Sequence, residues 1–101
     1  MAAESGRRVT LFGLEVTDDA GYARYREAMA PVLARHGGRF GCDFVVARVL
    51  LGPHPRINRV FTMVFPDDGS RERFFADAEY RAVRTRWFEP AVGAVEVLVE
   101  A

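Results

Sequence analysis

The sequence has no lysine and no glutamine, only two serines (Ser5 and Ser70), two histidines (His36 and His54) and one cysteine. Each shortage excludes a chemistry. Cys42 alone rules out an intrachain disulfide framework and leaves no set of thiolates for a structural zinc site. A reducing, cytoplasmic location is the expectation. With so few serines and no Gly-x-Ser-x-Gly elbow, serine hydrolase chemistry is disfavoured. The two histidines form no paired helical motif and no glycine-rich phosphate loop is present, so neither a metal nor a cofactor is expected. The 14 basic residues are all arginine and are balanced by 14 acidic residues, for a formal net charge of zero. Without excess positive charge the chain has no field to gather phosphates, and no nucleic-acid partner is expected. No apolar run approaches the roughly 20 residues of a membrane span, and the first eight residues lack a signal-peptide core. Neither membrane nor export is expected.

What is present is a globular composition. Of 101 residues, 50% are hydrophobic and 12% aromatic, which suits one small domain over residues 9–101 behind a flexible polar tail, residues 1–8. Val9 to Val16 reads as a strand. From Asp19 to His36 the positions Tyr22, Tyr25, Met29, Val32, Leu33 and His36 recur at steps of three and four, the period of an amphipathic helix that Asp18 or Asp19 can cap and Gly37-Gly38 can end. Pro31 predicts a kink in it. Phe40 to Leu51 predicts the second strand, closed by Gly52-Pro53-His54-Pro55, and Ile57 to Phe65 the third. Asp68 or Ser70 offers a cap for a second helical pattern running from Phe74 through Tyr80 to Phe88, with a break near Asp77-Ala78 and an end at Pro90. Val95, Val97 and Val99 alternate in a last strand.

The order βαββαβ within about 100 residues predicts an α+β, ferredoxin-like fold: a four-stranded antiparallel sheet with two helices on one face. Alternation sorts Val9, Leu11 and Gly13 from Thr10, Phe12, Leu14 and Val16, and Val60 and Val64 from Phe61, Met63 and Phe65, so both faces are apolar. Two helices cover only one face. A second copy across a twofold axis is the simplest cover for the other, which predicts a homodimeric α/β barrel.

Several side chains could carry chemistry. His36 falls in the last turn of the first helix, where its cationic form suits the negative helix end, and it is also a candidate general base with Tyr80 as the other catalytic candidate. His54, between prolines, is expected in solvent. Cys42 reads as a small buried hydrophobe. Tyr22 and Tyr25 put hydroxyls on an apolar helix face. Tyr80, Arg84, Arg86 and Trp87 cluster in the second helix, and an arginine beside aromatic faces suits a planar anion. The first functional expectation is therefore a small-molecule-binding dimer whose apolar cavity lies between sheet and helices, lined by Tyr25, His36, Tyr80 and Trp87, with Arg39 or Arg86 near its mouth, for a small apolar or aromatic ligand. The plainer alternative is that packing and dimerisation consume both faces and leave no cavity.

Tyr22-x-x-Tyr25, Gly37-Gly38-Arg39-Phe40, Gly52, Phe65-Pro66-Asp67, Phe74-Phe75 and Asp77-Ala78-Glu79-Tyr80 together resemble the bacterial family called domain of unknown function thirteen-thirty, of the dimeric α/β barrel superfamily, over about residues 9 to 100. The resemblance implies the ferredoxin-like fold and a dimer, and leaves the reaction open because the family has none agreed. The likeness to the superfamily's cofactor-independent monooxygenases and its cyclase or isomerase relatives implies a second expectation, an enzyme acting on an aromatic or polyketide-like substrate with His36 or a tyrosine moving a proton. The sequence departs from the family where Leu51 and Val64 replace glutamates and Trp87 replaces an arginine, with Arg84 and Arg86 close by. Their joint loss is self-consistent if they formed one buried polar network.

Overall fold

Arg8–Val16 forms the first strand, β1. In this computed structural model, which describes residues 6–101, most of the expected tail at residues 1–8 lies outside the described residues and Arg8 already belongs to the sheet. Asp18 opens the first helix, α1 (Asp19–Arg35), by accepting from the backbone N–H of Gly21 at 3.1 Å. Tyr22, Tyr25, Met29, Val32 and Leu33 are its buried stripe. The helix runs unbroken through Pro31: the buried anchors Met29 and Val32 pack both sides of the missing hydrogen bond, and packing outweighs the local defect. It ends where Gly37 takes φ 74°, with Gly38 N–H donating to Leu33 and Gly37 N–H to Ala34, each at 3.0 Å. This is the left-handed exit the two glycines predict.

The second strand, β2, is Arg39–Val45 and the third, β3, Arg59–Phe65. Both are shorter than their apolar runs. After Val46 N–H donates to the Asn58 carbonyl, the Asn58 side chain accepts from Val16 N–H at 2.8 Å and donates to the Val16 carbonyl at 2.9 Å. Asn58 N–H also donates to the Leu14 carbonyl at 2.8 Å, and beyond the last rung, Val46 to Asn58, the chain between these two residues is a loop. His54, expected in solvent, is half-buried there, its Nδ1 accepting from Arg56 N–H at 3.2 Å. Cys42, expected to be buried, is only half-buried on edge strand β2.

The second helical stretch is divided into pieces. Asp67, rather than Asp68 or Ser70, caps α2 (Asp68–Ala76) through Ser70 N–H at 2.7 Å. Asp77 ends α2 and caps α3 (Ala78–Val83), accepting from Glu79 and Tyr80 N–H groups at 2.8 and 3.3 Å. A π-helical turn follows at Arg84–Phe88, then a single turn, α4 (Glu89–Ala91). Pro90 does not end the helix; it sits at the start of α4, where a missing N–H is tolerated. The last strand, β4, spans Val92–Glu100.

The four strands form one antiparallel sheet in the order β2-β3-β1-β4, the ferredoxin-like arrangement. The molecule measures 39 × 31 × 17 Å, thick enough for one sheet and one helix layer. Leu14, Met29, Val32 and Phe74 are fully buried between them. The face away from the helices is apolar, as alternation predicts. Gly13 leaves a gap on it that Ile57 and Leu98 fill, since a Cβ at Gly13 would lie 3.0 and 3.2 Å from their Cδ1 atoms. The loop thus roofs part of this face. Phe44 and Val99, 58% and 55% exposed, share that face with their partners Val60 and Leu11 and are left in the open.

Candidate functional site

Two tyrosines meet beneath the helix layer. Tyr25 lies on the buried stripe of α1, and Tyr80 is placed in the first turn of α3 by the Asp77 cap, so two helices far apart in sequence bring their hydroxyls to 2.9 Å. Both rings are almost fully buried, at 4% and 3% exposed. Phe88 packs on Tyr25 with ring centroids 4.9 Å apart, and Phe74 on Tyr80 at 4.2 Å. Neighbouring aromatic faces lock each ring, and the only freedom left is that of the hydroxyl protons.

The pair borders a cavity between sheet and helices. Phe12, Leu14, Phe61 and Met63 form its sheet floor; Phe75, Arg84 and Phe88 join the tyrosines in its roof. Its volume is about 30 Å³, room for a single water molecule. Arg84, Phe88 and Val95 also wall a second cleft of about 240 Å³ that continues along β4 past Glu89 and Gly93. These three side chains therefore stand between a small inner chamber and a wider outer one, and the position where they meet is termed the neck. Two of them sit on the π-helical turn, a backbone irregularity frequent at functional sites.

Burial pushes the Tyr25 hydroxyl far above the ordinary phenol range, the neighbouring Tyr80 adds to the effect, and the Arg84 guanidinium opposes it. Tyr25 is consequently neutral at every physiological pH. Within the pair one hydroxyl donates to the other, which leaves one proton free for an acceptor in the cavity. Arg84 is half-buried with its guanidinium carbon 4.6 Å from the Phe88 ring centroid. Among the described residues it has no ion-pair partner.

Of the residues expected to line this cavity, Tyr25 and Tyr80 do so and the others do not. His36 caps the end of α1, half-buried, with Nε2 2.9 Å from Asp77 Oδ2 and its ring edge-on to Phe74. That hydrogen bond holds the Asp77 carboxyl below the ordinary range. Trp87 is half-buried between the guanidinium groups of Arg24 and Arg86, at 5.5 and 4.8 Å from its ring centroid. Arg39 is exposed at the start of β2, near Val64 and Pro66. The cavity's guanidinium is Arg84 rather than Arg86 or Arg39. The signal was in the spacing: Tyr80, Arg84 and Phe88 recur every four residues and share a helix face, whereas Arg86 at six falls opposite. Nothing in the sequence pointed to Val95. Leu51, Val64 and Trp87 do not come together within the protomer: Leu51 lies on the loop, Val64 on β3 and Trp87 in the helix layer.

A larger hollow of about 380 Å³ lies on the open face beneath the loop, walled by Val49, Leu51, Ile57, Val60 and Leu98. Its one charged side chain, Arg48, is exposed. It offers area without the converging polar groups that orient a ligand. Among the described residues no three His, Cys, Asp or Glu side chains gather as a metal site, and no helix is long and apolar enough to cross a membrane.

The sequence matches the family model described as Domain of unknown function (DUF1330) over residues 10–100. No curated protein matches it. Among solved structures, the chain is similar to a protein of unknown function from Rhodopseudomonas palustris, with a TM-score of 0.81 at 20% identity over 96% of this chain and 82% of that one. It is also similar to a dabb family protein with a ferredoxin-like fold from Mesorhizobium loti (TM-score 0.65, 15% identity, 95% and 93% covered). A dimeric ferredoxin-like protein of unknown function from Jannaschia sp. CCS1 follows (TM-score 0.57, 18% identity, 95% and 98% covered). At such identities the likeness is one of fold. The family match spans nearly the whole chain, and the protein belongs to the DUF1330 family.

Proposed function

We propose that this DUF1330 protein binds a small, mainly apolar molecule carrying a hydrogen-bond-accepting oxygen between its sheet and helices, and that it does so as a homodimer. The observation that carries the reading is the Tyr25–Tyr80 hydroxyl pair, buried at 2.9 Å on the wall of a chamber otherwise aromatic and aliphatic. The bond between the two hydroxyls joins the helices and uses one proton; the second proton, on the wall of a cavity, is of use to a ligand oxygen. The inner chamber is too small for such a molecule by itself, so the ligand parts Arg84 and Phe88 at the neck and occupies the outer cleft as well. Dimerisation rests on the open apolar face, too greasy to leave in water, and on the dimeric state of the Jannaschia neighbour.

A second reading, turnover by a cofactor-independent monooxygenase or a cyclase or isomerase, draws on the same proton. In a dry pocket an O–H donor stabilises an oxyanion as it develops. That reading lacks a base, since Tyr25 stays neutral and His36 faces Asp77 outside the chamber. Binding is the better supported.

Calorimetric titration with 2-naphthol tests the site. Tyr80→Phe should weaken binding about tenfold, the loss expected of one hydrogen bond, and Leu51→Ser in the open-face hollow should leave it unchanged. Loss of binding in Leu51→Ser with full binding in Tyr80→Phe would move the site to the other face and overturn the reading.

A further inference from the structure

We infer that the ligand is a planar aromatic monoanion, with its charged oxygens set against Arg84 and its ring between the aromatic walls of the chamber. The inference rests on the reading of the tyrosine cavity as a binding site and goes further, to the chemistry of what enters it.

The chamber's charge balance carries the argument. Of the side chains that line it, one is charged, the Arg84 guanidinium, and none is acidic. Arg84 is half-buried, so water hydrates the exposed part of that cation in the free protein. A ligand that fills the neck displaces this water, and a desolvated guanidinium without a counter-charge is strongly unfavourable. No carboxylate among the described residues supplies that counter-charge at ion-pair distance, since Glu89, which shares the outer cleft, is exposed and makes no ion pair with Arg84, and burial holds Tyr25 in its neutral form. The ligand must bring it. A carboxylate also matches the planar fork of an arginine and accepts the spare hydroxyl proton of the tyrosine pair.

The walls and the outer cleft narrow the class further. Phe12, Phe61, Phe75 and Phe88 line the chamber with the two tyrosines, so a flat π system gains offset and edge contacts that an alkyl chain of equal volume does not. Glu89 is exposed in the outer cleft beyond the neck. A second negative charge on the ligand would face that carboxylate, which disfavours a dianion.

Binding of 2-naphthoate and of the uncharged 2-naphthol to wild type, Arg84→Gln, Arg84→Lys and Tyr80→Phe, measured by calorimetry at pH 7.5, tests the inference. Wild type should bind 2-naphthoate at least tenfold tighter than 2-naphthol. Arg84→Gln should abolish that preference while still binding 2-naphthol, which also shows the variant to be folded, and Arg84→Lys should keep part of it. Equal affinity of wild type for the two compounds, or a preference that survives Arg84→Gln, overturns the anion inference while the site stands. If neither compound binds wild type, or if Tyr80→Phe binds both as wild type does, the site itself fails and the inference with it.

Discussion

The hydroxyl oxygens of Tyr25 and Tyr80, 55 positions apart in sequence, lie 2.9 Å from one another. This bond ties α1 to α3 across the roof of the chamber, and the His36–Asp77 bond ties the C-terminal end of α1 to the cap of α3. Helix layer and site are thus one construction, and perturbing either should be felt in both.

Removing one hydroxyl of the pair leaves the other buried without its partner. Tyr25→Phe and Tyr80→Phe are each expected to destabilise the fold by about 1–3 kcal/mol, and the double variant by less than the sum of the two. Denaturant unfolding of the four proteins measures the coupling. Strict additivity would show that the hydroxyls do not interact.

Phe74 is fully buried, within 5.6 Å of Phe65 and 4.2 Å of Tyr80 by ring centroids. Phe74→Ala should cost about 3–5 kcal/mol, the usual range for deleting a core ring. Phe44→Ala, on the exposed edge strand, should cost the isolated protomer far less. Comparable losses in unfolding free energy for the two would contradict the placement of the core.

Three carboxyls are held below their ordinary range: Asp43 chiefly by its hydrogen bond from Arg59, Asp67 by the backbone N–H of Ser70, and Asp77 by its bond to His36. A carboxyl depressed in the folded state contributes stability that is fully present above its unfolded value of about 4 and is lost as pH falls through the folded value. The urea midpoint should therefore drop between pH 5 and pH 3. In Asp43→Asn the drop should be shallower, and an unchanged slope would remove Asp43 from the account.

Much of the fold was legible in the chain. Alternation in β1 and β3, the three-and-four spacing from Tyr22 to Leu33, and the Gly37-Gly38 exit are local signals, and each found its element. The second strand was overread because Val46 to Leu51 is apolar enough for a strand, while pairing with β3 ends at the rung between Val46 and Asn58, a residue whose side chain is held by Val16, 42 positions away. The second helix fragments where Asp77 serves both as an end and as a cap, which only the hinted break at Asp77-Ala78 betrayed. At the site, Tyr25 and Tyr80 were legible as hydroxyls on apolar faces. His36 and Trp87 share that apolar periodicity and yet lie outside the chamber, because periodicity gives a face and not the depth at which a side chain sits.

The apolar open face predicts association. Sedimentation at micromolar concentration should give about twice the 11.3 kDa protomer mass for the wild type, and Leu11→Lys, in the middle of that face, should sediment as a folded monomer. A wild-type monomer would remove the dimer from the proposal.

The most direct test of the central claim follows the tyrosines themselves. The chain has three, so a protein labelled with carbon-13 at tyrosine Cζ gives three resonances, assigned with the phenylalanine variants. On titration with 2-naphthol the signals of Tyr25 and Tyr80 should move together, while Tyr22, whose hydroxyl accepts from Arg26 Nε at 2.8 Å, should stay in place. Movement of Tyr22 alone, or saturation of binding with Tyr25 and Tyr80 unmoved, would contradict a ligand site at the hydroxyl pair.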